Sequence, residues 1–285
     1  MDENTSIHQR RIAVTGAAGS LAADIIPELI RLGYEVVCTD VRDPRDRFGC
    51  EWRICAIDDG AQLSQVMQGC DAVVHLAGIP LEADWKTLSR INVDGTHAVL
   101  ETSRKLGIKK VVLASSIHAA GFVNVPPPGA PKVDDDVPVR PNTFYGVSKA
   151  AAEALGSMYA DRYGMDVICL RIASRYKKPE NERMLSTWLS PQDAVKLFDA
   201  ALSERASGFR IVWGVSANSR GYLSPEGGSE IGFHPSDDAE DHAAEIAELS
   251  AEDTSVGASE WDRRFIGGIF SSPNPPLFVF PTARG

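Results

Sequence analysis

Arg11-Ile12-Ala13-Val14-Thr15-Gly16-Ala17-Ala18-Gly19-Ser20-Leu21-Ala22 decides the fold of this 285-residue chain. A short apolar run gives way to two glycines and then, through Ile30, to apolar residues at helical spacing, which reads as strand, tight turn and helix. Gly16 permits the turn, Gly19 lets backbone come close to a pyrophosphate, and Ala22 is small enough to pack the helix on a sheet. The free N–H groups where the helix begins, at Ser20 and Leu21, then face the phosphates. Two glycines alone are equally an ordinary turn; the strand-to-helix context is what points to a dinucleotide.

Working outward, Glu35-Val36-Val37-Cys38-Thr39 forms a second strand ending at Asp40, about twenty residues beyond the glycines. A carboxylate there binds both ribose hydroxyls and repels a 2′-phosphate, so Asp40 favours NAD over NADP. Arg42, Arg45 and Arg47 follow and read as solvated loop charges, or as phosphate contacts if the loop folds back. Strand and helix patterns then alternate: Arg53–Ile57, Ala61–Met67, Asp71–Leu76, Trp85–Leu106, Lys109–Ala114, a helix from Tyr145 to about Arg162, and Asp166–Ile172. That alternation predicts an α/β fold, a Rossmann-type doubly wound parallel sheet. Later elements are a helix at Gln192–Leu202, a short strand at Phe209–Trp213, and a helix at Ser236–Leu249 with Ser236 as N-cap. No linker splits the chain, so residues 1–285 are expected to form one unit. Residues 10–172 make its NAD-binding core, and 173–285 mainly a small substrate-side cap.

At 44% apolar residues, the chain can bury a sizeable core without disulfide or metal. Its five cysteines, an odd number with no C-x-x-C, read as reduced core or loop thiols. The polar opening Met1 to Gln9 lacks a signal peptide's apolar region and no run approaches a membrane span, so a cytoplasmic protein is expected. A net charge of −10 weighs against nucleic acid and anionic membrane as partners. A homo-oligomer and a small-molecule partner are expected. Val125–Pro141, with six prolines and Asp134 to Asp136, is expected to be an irregular surface loop, and the acid-rich Glu226–Glu260 a solvated face.

Tyr145-Gly146-Val147-Ser148-Lys149 places a phenol and an ammonium on one helical face. A cation beside a tyrosine favours the phenolate and turns the side chain into a proton acceptor, although a pair at this spacing also arises by chance.

With glycine loop, acidic strand end and Tyr-Lys pair in order, the sequence resembles the short-chain dehydrogenase/reductase superfamily. Within it, the chain is most similar to the epimerase/dehydratase-like branch and to uronate dehydrogenases. Leu113-Ala114-Ser115-Ser116, Ile91-Asn92-Val93-Asp94-Gly95-Thr96 and His75-Leu76-Ala77-Gly78 carry the general likeness. Arg183-Met184-Leu185-Ser186-Thr187-Trp188, Val212–Asn218 and Phe265–Phe270 carry the particular one. The resemblance implies that Tyr145 takes the proton of a sugar's anomeric hydroxyl while C1 gives hydride to NAD. It implies further that Ser116 bonds the same oxygen, that Lys149 holds the nicotinamide ribose and keeps Tyr145 acidic, and that Asn92 supports Lys149. Val41, Ile57, Leu76, Ala77, Gly78 and Ile172 would line the cofactor, and Ser174, Arg183 and His118 the substrate. Arg183 is otherwise a surface ion-pair residue beside Glu180 and Glu182, His118 otherwise a pocket-wall residue, and Ser115 a residue turned into the sheet. No metal is implied.

Three positions depart from the uronate enzymes. Ile117 and Pro80 stand where those carry a polar residue near the sugar, and Ala56 replaces an acid that contacts adenine, with Asp58 or Asp59 as possible substitutes. The substrate implied is therefore a hexuronate or a closely related acidic aldose, a 6-sulfonated one included, with a neutral aldose as an alternative. Alternatives are a nucleotide-sugar epimerase or dehydratase, whose R-x-x-N-x-x-G-P pattern is missing at Arg171–Lys177, and a non-catalytic NAD(H) sensor.

Overall fold

Successive residues of the central strands point to opposite faces, and that period of two sorts the apolar side chains into two layers. Ile12, Val14, Val36, Cys38, Val74, Val112, Ile168 and Leu170 pack on one side with Ile25, Ile26, Leu197 and Phe198. Ala13, Val37, Val73, Val111, Leu113, Val167 and Cys169 pack on the other with Leu63, Val99, Leu100 and Tyr159. The computed structural model describes residues 10–44, 46–205 and 207–277; the opening Met1 to Gln9 and Arg45 lie outside the described residues.

In chain order the regular elements begin β1 (Arg11–Thr15), α1 (Ser20–Arg31), β2 (Glu35–Asp40), β3 (Glu51–Ile54), α2 (Gly60–Met67) and β4 (Ala72–His75). They continue α3 (Trp85–Leu88), a π-helical turn (Ser89–Asp94), α4 (Gly95–Leu106), β5 (Lys110–Ser116), α5 (Phe144–Tyr163) and β6 (Asp166–Ile172). The rest are β7 (Ser174–Arg175), α6 (Met184–Thr187), β8 (Trp188–Leu189), α7 (Pro191–Ser203), β9 (Gly208–Gly214), α8 (Glu226–Glu230), α9 (Ala243–Glu252) and α10 (Glu260–Arg264). Seven parallel strands in the order β3-β2-β1-β4-β5-β6-β9 form the main sheet, and β7 pairs with β8 beside it. The chain reverses direction between β1 and β4, so their carboxyl ends open the crevice where doubly wound sheets bind ligands.

Four local expectations are corrected. The strand expected at Arg53–Ile57 is Glu51–Ile54, because Asp59 turns the chain by accepting Ala61 N at 3.1 Å and Gln62 N at 3.0 Å as cap of α2. The helix expected over Trp85–Leu106 contains a wide π turn that carries Asn92 inward, a distortion common at functional sites. Ser236 is not an N-cap: its N–H and that of Asp237 are held by the fully buried Asp193 carboxylate, and helical structure starts only after Asp238. The strand expected at Phe209–Trp213 is a full seven-residue member of the sheet, Gly208–Gly214, so sheet and helix α7 extend beyond residue 172.

The proline-rich stretch 125–141 has no regular element but is firmly tied. Arg171 and Glu153, 1% and 3% exposed, form a two-pronged pair at 2.9 Å and 2.9 Å. Arg171 Nη1 also donates to Asp135 O and Val137 O, and the Asp135 carboxylate accepts Trp213 N and Gly227 N. Burial pushes that carboxyl up to about 6. The cysteines among the described residues are all free thiols, and no helix there is long and apolar enough to cross a membrane.

Glu153→Ala leaves the Arg171 charge buried without its partner. We expect urea unfolding to show a loss of about 3–5 kcal/mol, against less for Glu153→Gln.

Candidate active site

The nucleotide end is built by close backbone contact. Gly16 has φ +69°, and a Cβ placed there would lie 2.5 Å from Ala77 N, so only glycine lets the loop after β1 meet the loop after β4. Leu76 N and Ala77 N donate back to Thr15 at 3.2 and 3.3 Å, which sets Leu76, Ala77 and Gly78 beside the glycine turn. Asp40, 8% exposed, accepts Ala18 N at 3.1 Å on one oxygen and Arg42 N at 3.0 Å on the other. Arg42 does fold back: its Nε lies 3.3 Å from Asp40 and its Nη2 donates to Ala18 O at 3.1 Å. Ala18, Gly19, Arg42 and Phe48 line a cleft of about 460 Å³ at this point.

Ser20 Oγ accepts from Arg175, which also pairs with Asp24, so a cation stands at the start of α1. Leu21 packs on the adjoining apolar layer, and Val41 is exposed beyond Asp40. Ile57 fills the space left by Gly95, and Ile172 ends β6 in register with Ser116. Near Ala56, Asp58 pairs with Arg90 and Asp59 caps α2, so both carboxylates already have partners. The glycine cradle, the buried acid at the end of β2 and the open cleft together fit a dinucleotide.

Around the reacting group, α5 starts at a Thr143 cap whose hydroxyl accepts Gly146 N at 2.9 Å. A Cβ on Gly146 would sit 2.3 Å from His118 O, so its absence lets the helix press against the end of β5. That approach brings Tyr145, 7% exposed, into hydrogen-bonding contact with Ser116. Lys149 Nζ lies 5.6 Å from the Tyr145 ring centre and donates to Ala114 O at 2.7 Å. Burial pushes the phenol up to about 12, opposed by the Ser116 bond, and pulls the ammonium down to about 8. Desolvation is the larger influence on Tyr145.

Asn92 bonds both backbone groups of Ile79, at 2.8 and 3.0 Å, and donates to Ser148 Oγ at 3.0 Å. Ser148 in turn donates to Tyr145 O at 2.7 Å. Asn92 thus bears on the helix one turn before Lys149. Ser115 is turned away, donating to Glu153 at 2.6 Å.

Toward the substrate end, the His118 ring stands 5.9 Å from Tyr145 and 4.6 Å from Phe270. Asn142 Nδ2 donates to Ser271 Oγ, so its Oδ1 is the acceptor facing His118 Nδ1 at 3.2 Å. Burial, helped by Arg183, pulls the imidazole down to about 3, so the ring is neutral and its Nε2 is left as an acceptor. Arg183 donates to Ser174 Oγ at 3.1 Å and Ile266 O at 2.6 Å, with Asp262 3.6 Å from its Nε. Its side chain is 13% exposed, and Glu182 instead accepts Ala258 N. Ile117 is buried in one apolar cluster with Trp213, Leu223 and Ile266, whereas Pro80 is exposed.

Phe270, Asn142 and Ser148 belong to this constellation but were not singled out from the sequence. Ser148 sits inside the Tyr-Lys segment; Asn142 carries no signal, because only the fold brings it to His118. Among the described residues no acidic, histidine or cysteine group could hold a metal.

Residues 12–208 match the NAD dependent epimerase/dehydratase family, and the chain belongs to that family. NAD is its cofactor. It is 34% identical over 267 residues to a uronate dehydrogenase of Agrobacterium fabrum, covering 92% of this chain and 96% of the relative. The structure of a glucuronic acid dehydrogenase from Chromohalobacter salexigens superposes with TM-score 0.84 at 30% identity, covering 94% and 98% of the two chains. An L-arabinose 1-dehydrogenase (NAD(P)(+)) of Haloferax volcanii is 33% identical over 254 residues, covering 80% and 97%.

Gly16→Val forces a side chain into the Ala77 backbone, and isothermal titration is expected to show NAD affinity reduced by more than about tenfold, or 1.4 kcal/mol. In ultraviolet difference titration of the cofactor-free protein against Tyr145→Phe, no phenolate from this residue is expected below pH 10.0, in keeping with its rise to about 12.

Proposed function

We propose that the protein is an NAD-dependent dehydrogenase that oxidises the anomeric C1 hydroxyl of a hexuronate, or a closely related acidic aldose, to its lactone. One observation supports the substrate class: a buried Arg183, steadied by Ser174, acts on the His118 ring, which itself stands 5.9 Å from the ring of Tyr145. Arginine's planar fork suits a carboxylate because it donates parallel hydrogen bonds. A sugar held there by its acid turns its opposite end, C1, toward Tyr145.

In this reading Ser116 and Tyr145 both bond the C1 oxygen. Bound NAD supplies the hydride acceptor. As the C1–H bond gives up its electron pair, the O–H bond gives its proton to Tyr145 and the C1–O bond becomes the lactone carbonyl. Lys149, charged below its value of about 8, favours the phenolate form of Tyr145 at that moment, and its stem holds the charge on the same helical face. Neutral His118 accepts a sugar hydroxyl through Nε2. Cap residues and the Tyr145 helix exclude water from the transfer. Because Ile117 is core and Pro80 offers no hydroxyl, fewer polar groups read the sugar's ring hydroxyls, which widens tolerance there while leaving the acid contact intact.

Absorbance of NADH is the test, with glucuronate, galacturonate, a 6-sulfonated aldose and neutral aldoses as substrates. NADH formation from at least one acidic sugar is expected, with kcat reduced about 10²–10⁴-fold in Tyr145→Phe. Absence of turnover with every acidic sugar overturns the proposal.

A further inference from the structure

We infer that Glu82, from the loop between β4 and α3, is a positioning residue that sets the Tyr145 phenol at a fixed distance from the cofactor cleft. Its Oε2 accepts Tyr145 N at 2.8 Å and its Oε1 accepts Phe144 N at 3.2 Å. These are the first N–H groups of the 20-residue helix α5, which have no acceptor within the helix. The Thr143 hydroxyl accepts Gly146 N and its carbonyl Val147 N, which leaves the N–H groups of Phe144 and Tyr145. A carboxylate arriving from 63 residues upstream closes the remaining gap next to the proposed base.

Three features make this more than a helix cap. Glu82 is 8% exposed and, among the described residues, has no cationic partner, so its charge is held by backbone N–H groups and the positive end of α5 alone. Burying an unpaired carboxylate is costly, and a neutral side chain could end a helix more cheaply. The same loop is gripped twice more against the catalytic elements. Asn92 binds both backbone groups of Ile79 and reaches Ser148, and Trp85 packs on Phe144 at 5.9 Å between ring centres. The loop itself starts at Gly78, whose missing Cβ lies 3.0 Å from Asn92 Oδ1 and 3.8 Å from Lys149 Nζ. One side chain thus links the segment beside the dinucleotide to the first turn that carries the phenol. Nothing in the sequence marks Glu82 for this role; the link exists only once β4 and α5 are brought together.

The inference rests on Tyr145 being the base. Glu82→Ala, Glu82→Gln and Tyr145→Phe are therefore compared with the native enzyme for kcat, for KM of NAD and of the acidic sugar, and for melting temperature. Misplacing the base without touching either ligand lowers kcat alone, so Glu82→Ala is expected to lose about 10²-fold in kcat with both KM values within about threefold. Glu82→Gln, which keeps one acceptor oxygen, is expected to lose about tenfold in the same way. A kcat within about twofold of native in either variant, or a loss confined to KM or to melting temperature, overturns the inference. If Glu82→Ala does not fold, Glu82→Gln decides by the same limits. Native kcat in Tyr145→Phe sinks the base assignment and the inference together, whereas an inactive Tyr145→Phe beside fully active Glu82 variants sinks the inference alone.

Discussion

Burial of a phenol and an ammonium one helical turn apart is the constraint on which the site depends. Desolvation disfavours the charged form of each, raising Tyr145 to about 12 and lowering Lys149 to about 8. Burial therefore favours the neutral form of both groups. It also explains why so many contacts fix the position of α5: a neutral tyrosine has no strong electrostatic partner of its own and must be placed by backbone. Gly146 against His118 O, Ser148 against Asn92, and Glu82 against the first two N–H groups each perform part of that placement.

The opposite end of the cavity follows a different principle. Arg183 carries a permanent charge that burial cannot remove, and Ser174, Ile266 O and Asp262 share in steadying it. His118 between the two ends is kept neutral by burial and by that same guanidinium. The stretch 125–141 is fastened to the sheet through Arg171, whose buried partner Glu153 also accepts from Ser115.

Much of the fold was legible because it rests on short-range patterns. The glycine turn, the period of two in Ile12 to Thr15 and Val36 to Cys38, and the strand-helix alternation required no knowledge of distant contacts. Tyr145, Lys149 and Ser116 were legible for the same reason, as each belongs to a local motif. Legibility failed where one residue answers to a partner far along the chain. Ser236 reads as a cap until Asp193 is seen taking its N–H, and nothing marks Glu82 until α5 is placed beside it. Desolvation is equally invisible in a sequence, and it is burial that raises the phenol of Tyr145 to about 12.

Isotope transfer from the anomeric carbon tests the central claim most directly. With the acidic sugar deuterated at C1, mass spectrometry of the nicotinamide product should show the label on the reduced ring and a lactone as the sugar product. Deuterium retained on the sugar, or lost to solvent, would contradict direct hydride transfer from C1 beside Tyr145.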